Sequence, residues 1–358
     1  MIMHTIDSIS TVRLDLPLRD VFETSRRRAL SSPTVFVKVL ASGVIGWGEA
    51  TPLEYVTGET QDSVIQAVAR AQQALKGKPA QAYRVCSSRL QDAIPDSPSA
   101  RAGVEMAILD AASKAAGMPL YLYLGGRPIT VETDVTIPMV EPKQAADLAY
   151  RMSKQGFGMF KVKIGGTERE QDFERVIAVA EAVRGAVFLL DANEAFQPDE
   201  AVSFVNDLLA RNVKVELLEQ PVPRDDLESL KYVTDHSPVP VYADEAVQSP
   251  EDAIKLARLE AVSGIVVKTM KSGVIGAMII SGISQAAGLG LMLGAMLESR
   301  IGQTASLHLA AAVGRFAKFD LDSDMLLADQ PVSSGFSRSE SLITLTQEPG
   351  LGVRVELP

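Results

Sequence analysis

Five short apolar runs in the middle of the chain each finish on an ionisable side chain. They are FGMFKVK ending at Lys163, AVFLLD at Asp191, VELLE at Glu219, PVYAD at Asp244 and GIVVK at Lys268. Three carboxylates brought together repel one another unless a dication joins them. Hard oxygen donors in this number suit Mg2+, with Mn2+ as a substitute, and leave positions for water and substrate. A lysine on either side of the acidic trio fits a base on each face of one carbon atom. The proton next to a carboxylate is very weakly acidic, so its removal calls for concentrated positive charge where the anion develops. Lys161, two positions before Lys163, is the expected electrostatic partner of that base. With a dication nearby it is expected to lower the lysine pKa toward the working pH. One Asp or Lys at such a position is more often a solvated loop residue. Five in consecutive repeats, in the order base, ligand, ligand, ligand, base, form a set.

A longer repeat carries the set. TDVTIPM (133–139) precedes the five runs, and GLMLGAM (290–296) and KFDLD (318–322) follow them. Runs this short and apolar on both faces read as buried parallel strands. Between them lie stretches such as 168–183, 199–210 and 250–259, with apolar residues at helical spacing. The interval is about one βα unit, roughly 25–30 residues. Eight such strands predict a parallel barrel with its chemistry at the C-terminal strand ends, or else an open doubly wound sheet. No early strand is followed by a Gly-rich phosphate fingerprint, which weakens the open sheet.

Residues 1–125 read differently. Segments 6–17 and 33–50 are strand-like, with Gly43, Gly46 and Gly48 at turns or close approaches. Amphipathic helices follow, among them 102–116, stopped by Gly117 with Pro119 beyond. The tail 341–357 alternates like a strand again. This predicts an α+β domain over 1–125 with a contribution from residues 330–358, and a barrel over 126–329.

The chain has 358 residues, 46% of them hydrophobic, enough for both units. Its net charge of -10 argues against nucleic acid as a partner. The one cysteine, Cys86, allows no intramolecular disulfide and fits a reducing compartment. The first residues lack the pattern of a secretory signal. The apolar stretch 288–296 is far shorter than the roughly 20 residues a bilayer needs. The expectation is a cytoplasmic protein off the membrane, a homo-oligomer acting on a small molecule.

At the level of motifs the sequence resembles the enolase superfamily, and within it the muconate-lactonizing-enzyme subgroup. The residues that carry the likeness are FKVKIG (Lys161, Lys163), LLDAN (Asp191, Asn193), LEQP (Glu219), ADEAV (Asp244), VKTMKSG (Lys268) and GAMLES (Glu298). Upstream, GWGEATP and AGVEMAILDAASKAAGMPLYLYLGG resemble the subgroup's first domain. The likeness implies an α+β capping domain on a modified TIM-type (β/α)7β barrel. It implies Mg2+ on Asp191, Glu219 and Asp244, Lys163 and Lys268 as bases, and Asn193 and Glu298 in support. The mandelate-racemase branch would need a histidine near the seventh strand end. The histidines here are His4, His236 and His308, none at a barrel-strand end.

The eighth run, FDLDSD, is similar to the Asp-x-Asp signature of dipeptide epimerases, which holds the ammonium group of the substrate. Alternate residues of a strand share a face, so Asp320 and Asp322 are expected to point together into the barrel mouth. The alternative is a polar strand end that caps the next segment. KSGVIGA departs from the double glycine that many relatives have there. The capping loops 21–28 and 54–60 are expected to shape the side-chain pocket. Arg27 matches the position at which an alanyl-glutamate epimerase has an arginine for an acidic side chain. Leu297 is expected to form an apolar wall, unsuited to a cationic side chain. The resemblance thus implies epimerisation of the C-terminal residue of an L,L-dipeptide through an enediolate. The alternatives are N-acylamino acid racemisation, succinylbenzoate synthesis or muconate-type cycloisomerisation, and a scaffold without catalysis.

Overall fold

The computed structural model describes residues 3–357. The chain starts as an antiparallel sheet of β1 (Ile6–Glu23), β2 (Arg28–Ala41) and β3 (Val44–Ala50). Ser42 and Gly43, both at positive φ (46° and 85°), make the tight turn between β2 and β3. The helix Pro98–Ala115 lies against this sheet, and glycines set how closely it packs. A Cβ on Gly46 would stand 2.0 Å from the Ala107 carbonyl oxygen, and one on Gly48 would stand 1.9 Å from that of Gly103. No other residue allows helix and strand to approach this closely. The helix begins at Pro98, earlier than its apolar pattern predicts, because proline suits the first helical turn.

Eight parallel strands follow in sequence order: β5 (Val135–Ile137), β6 (Met159–Lys163), β7 (Val187–Asp191), β8 (Lys214–Glu219), β9 (Val241–Ala243), β10 (Gly264–Val267), β11 (Gly290–Leu293) and β12 (Lys318–Phe319). Seven helices alternate with them, which is the (β/α)7β pattern. The first and eighth strands meet where Asp134 N donates to Phe319 O (3.0 Å) and Leu321 N donates to Thr133 Oγ1 (2.9 Å). Inside, Leu189, Leu217, Val266 and Met292 from four strands pack into one buried layer. Residues of the opposite parity, such as Phe188, Leu190 and Leu218, are buried in the core that includes the outer helices.

Register brings the chemistry together. Lys163 pairs with Asp191, and Asp191 with Glu219, so three of the five ionisable ends lie side by side. The other two fall just past their strands: β9 stops at Ala243 and β10 at Val267. The eighth strand corrects an expectation more clearly. It covers only Lys318–Phe319, so Asp320 and Asp322 do not alternate along a strand. At Asp322 the backbone turns helical (φ -105°, ψ -2°) into a short helix, and its side chain makes no capping hydrogen bond there.

The tail joins both units. β4 (Thr130–Glu132) pairs with β15 (Leu342–Leu345), which also pairs with β14 (Phe336–Ser339). β13 (Val332–Ser334) pairs with β16 (Val353–Val355). Leu351 N donates to the buried Asp110 carboxylate at 2.7 Å, and Leu120 N donates to Gly350 O at 2.8 Å. A second buried acid, Glu49 of GWGEATP, docks the first sheet on the barrel. It accepts from Ser299 N (2.8 Å), Ser299 Oγ (2.7 Å) and Gly302 N (2.8 Å), at the start of the helix Arg300–Val313.

Candidate active site

The floor of the site is a lattice of lysines and carboxylates. Lys161 Nζ lies 2.8 Å from Glu219 Oε1, 2.8 Å from Asp320 Oδ2 and 3.1 Å from Asp191 Oδ2. Lys163 pairs with Asp191. Lys268 stands 2.6 Å from Asp244 Oδ2, and Lys271 takes the other oxygen at 2.6 Å. Lys271 also donates to the Asp244 carbonyl (2.5 Å) and to Val266 O (3.1 Å), which fixes that acid from below.

Ammonium groups therefore stand between the carboxylates. Among the described residues no three acidic, histidine or cysteine side chains form a ready-made metal cluster. The donor set still fits a hard cation. Glu219 Oε2 is buried without a hydrogen-bond partner, and so is Asn193 Oδ1. Burial, with repulsion from Asp191, pushes the Glu219 carboxyl up to about 8. Burial and the neighbouring acids outweigh Lys161 at this carboxyl, and a dication would add the positive charge that is short there.

Two of the lysines are held up by the acids around them. Burial pulls Lys268 down, but Asp244, helped by Glu219 and Glu245, outweighs burial and holds it above its ordinary value. Lys161 follows the same balance, with burial opposed by Asp191, Asp320 and Glu219. Asp191 and Asp244 are the reciprocal case: burial pushes them up, and the lysines bring both well below the ordinary carboxylate range.

Above the floor is a narrow cleft of about 60 Å³. Lys163, Lys268, Asp244, Asn193, Asp320 and Asp322 reach it from the barrel. Phe22, Thr24, Arg27, Leu53, Tyr55 and Val56 close it from the capping domain, and Leu297 beside Met296 forms an apolar wall. The three consecutive arginines separate in space. Arg26 Nε donates to Asn193 O at 3.0 Å, and Arg28 faces Glu23 at 3.7 Å on the surface. Only Arg27 lines the cleft; it has no ion pair among the described residues, and burial pulls its guanidinium below the ordinary value.

Glu298 does not line the cleft. It lies five positions past β11, its Oε1 accepts from Met296 N (2.9 Å), and burial with repulsion from Glu49 pushes it up to about 8. Asn193 Nδ2 donates to Glu245 Oε1 at 3.0 Å, and Asn193 N donates to Asp191 Oδ1 at 3.1 Å. Asp322 Oδ2 accepts from Thr136 N at 2.6 Å.

Several residues of the site escape sequence reading. Lys271 sits three positions after Lys268 in VKTMKSG, a helical spacing that could have drawn attention to it. Glu245 adjoins Asp244, lines the cleft, and is pushed up to about 7 by burial and Asp244. Asp134 is fully buried below Thr136, and neither carboxylate oxygen has a hydrogen-bond partner. Burial and the nearby Asp320 and Asp322 hold it well above the ordinary range. The departure at KSGVIGA proves local. Gly273 takes φ 73°, ψ 171° at a kink, and a Cβ there would stand 2.5 Å from Glu105 Oε2, while Val274 is ordinary buried core.

A capped parallel barrel with lysines and acids at its C-terminal mouth is the architecture of one enzyme class. Residues 8–125 match the mandelate racemase / muconate lactonizing enzyme N-terminal domain, and residues 144–357 match the enolase C-terminal domain-like family. The chain is 36% identical over 349 residues to the L-Ala-D/L-Glu epimerase of Bacillus subtilis (strain 168), covering 96% of this chain and 95% of that one. The structure of a substrate-liganded complex of the L-Ala-D/L-Glu epimerase from Bacillus subtilis superposes with TM-score 0.96 at 35% identity, over 99% of this chain and 100% of that chain. A dipeptide epimerase from Enterococcus faecalis V583, complexed with Mg and the dipeptide L-Leu-L-Tyr, superposes with TM-score 0.93 at 34% identity, over 98% and 99% of the two chains. The chain belongs to the mandelate racemase / muconate lactonizing enzyme family of the enolase superfamily. It is an isomerase of the racemase and epimerase kind. Among the described residues no helix is long and apolar enough to cross a membrane.

Proposed function

We propose that this isomerase epimerises dipeptides, exchanging the α-proton of the C-terminal residue between Lys163 and Lys268. The observation that carries the reading is the placement of the two lysines. They flank the strands bearing Asp191, Glu219 and Asp244, from β6 on one side and from just past β10 on the other. Both open on the cleft, so one α-carbon between them has a proton acceptor on each face.

Asp191, Glu219 and Asp244 would hold Mg2+, which supplies positive charge to the substrate carboxylate and makes the adjacent proton more acidic. One lysine stands neutral to take the proton while the other stands protonated to return one to the opposite face. Lys161 keeps a fixed positive charge between Asp191, Glu219 and Asp320, which favours the enediolate that develops above it. Asp320 and Asp322 give the dipeptide ammonium its countercharge, and the backbone hydrogen bond from Thr136 orients Asp322. Arg27, without an ion pair among the described residues, favours an acidic C-terminal side chain.

Incubation with L,L-dipeptides and Mg2+ in deuterium oxide tests this. Deuterium should enter at the C-terminal α-carbon as the L,D form appears. Lys163→Met and Lys268→Met should each lower epimerisation by about 10³-fold and leave exchange with one epimer only. Lys161 and Lys271 remain beside Asp191 and Asp244 in these variants. Absence of exchange across a broad dipeptide library, with turnover of N-acylated amino acids instead, would overturn the reading.

A further inference from the structure

The two capping loops share one acid of the barrel, Glu194. The turn after β7 holds two consecutive non-glycine residues in the left-handed region, Asn193 at φ 42° and Glu194 at φ 70°. Such a backbone persists only where its surroundings fix it. Here Glu194 N donates to Gln220 O at 2.8 Å, and the side chain turns away from the metal-binding acids. Its Oε1 accepts from Arg224 N at 2.7 Å and from Arg224 Nε at 3.0 Å, and its Oε2 accepts from Arg224 Nη2 at 3.0 Å. Arg26 brings a second cation within 3.5 Å of Oε2.

Both arginines lead to the capping domain. Arg26 belongs to the loop that carries Arg27, and its Nε also donates to Asn193 O at 3.0 Å. Arg224 Nη2 donates to the carbonyl of Tyr55 at 3.0 Å, on the other loop. Ser25 Oγ adds a long hydrogen bond to Ala192 O at 3.5 Å. The Glu194 side chain is only 6% exposed, so its bidentate pair with Arg224 is little screened by solvent. Glu194 does not line the cleft itself, whereas Tyr55 and Arg27 do.

We propose that Glu194 is the positioning residue that fixes both capping loops over the cleft, so that Arg27 and Tyr55 face the bound substrate. The inference rests on the cleft being the dipeptide site. Without the carboxylate, Arg26 and Arg224 are like charges sharing one place, and the two loops lose their common anchor.

Glu194→Gln, Arg224→Met and Arg224→Lys test this by amide hydrogen exchange and by steady-state kinetics. For Glu194→Gln and Arg224→Met, exchange should quicken in 22–28 and 53–57 and stay unchanged in 187–191, with the melting temperature held. KM for the dipeptide should rise about tenfold while kcat changes less than about threefold, and Arg224→Lys should recover part of the loss. The double variant Glu194→Gln/Arg224→Met should be no worse than either single one. Loop exchange and KM both within twofold of the parent would overturn the proposal. Loosened loops with unchanged KM would do so too, as would faster exchange throughout the barrel with a lowered melting temperature. Hydrogen exchange reads the anchor without turnover, so an absence of dipeptide epimerisation in the parent counts against the proposed function and not against the anchor.

Discussion

Lys161 and Asp320 are 159 positions apart in the chain and 2.8 Å apart across the barrel floor. This contact makes the first two acids of FDLDSD unequal. Burial pushes Asp320 up, but Lys161, Lys163 and Lys268 bring it below the ordinary value, and it shares Lys161 with Glu219 and Asp191. Among the described residues no lysine pairs with Asp322; burial and repulsion from Asp320 push it up to about 6. Asp322→Asn should therefore raise KM for free-amino dipeptides about tenfold and change kcat little. Asp320→Asn should lower kcat as well, by about 100-fold, because Lys161 loses a partner. Kinetics with free and N-acetylated dipeptides check this: the N-acetyl penalty seen in the parent should shrink in both variants.

Removal of the metal should expose the Glu219 carboxyl as a pH-dependent weakness. Its folded value of about 8 lies above its ordinary 4.5, so between these limits the folded state binds more protons than the unfolded one. Stability of the chelated protein should thus fall as pH rises from 4.5 through 8. Mg2+ should restore it, and Glu219→Gln should remove both the slope and the response to Mg2+. Denaturation at a series of pH values with and without Mg2+ measures this.

The guanidinium of Arg27 at the cleft rim, beside apolar Leu297 and Met296, sets the predicted side-chain preference. Arg27→Leu should shift kcat/KM from dipeptides with a C-terminal acidic residue toward those with a hydrophobic one, by about 100-fold in the ratio. Competition between L-Ala-L-Glu and L-Ala-L-Leu reads that ratio directly. An unchanged ratio would remove Arg27 from the substrate site.

His308 lies far from any strand end and bears on stability. Its Nδ1 accepts from Tyr121 N at 2.9 Å, and burial pulls it down to about 4. Between pH 6.5 and 4 the unfolded state binds the proton and the folded state does not, so this contribution is complete above 6.5 and lost on acidification through 4. About 3 kcal/mol is at stake over that window. His308→Gln should flatten the pH dependence of stability between 6.5 and 4 relative to the parent, as followed by denaturant titration.

Local pattern reveals the strands and the ends of three of them. All eight apolar runs contain a barrel strand, and Lys163, Asp191 and Glu219 are register partners, because buried strands declare themselves by unbroken apolar composition. Asp244 and Lys268 fall one residue beyond their strands, within the ordinary uncertainty of an element end. Long-range placement was not legible. Sequence shows three arginines in a row, and only the folded loop sends Arg26 to the barrel backbone, Arg27 to the cleft and Arg28 to the surface. Asp134 looks like one polar residue in an apolar run until the barrel closes and sets it under Asp320 and Asp322. The spacing of Lys161 and Lys163 does not show which carboxylates they touch, and those contacts hold Lys161 above its ordinary value.

The hydrogen bonds that join the tail to Asp110 and Leu120 carry a consequence for how the molecule is made. The first domain leaves the ribosome early, but its buried Asp110 carboxylate receives Leu351 N only after some 240 further residues are synthesised. Until then that acid has Trp47 N and Lys114, and the apolar surface later covered by Leu351 and Val353 stays open. The nascent cap is thus an unfinished domain awaiting its C-terminal cover, and a chaperone that shields it has the whole synthesis of the barrel in which to act.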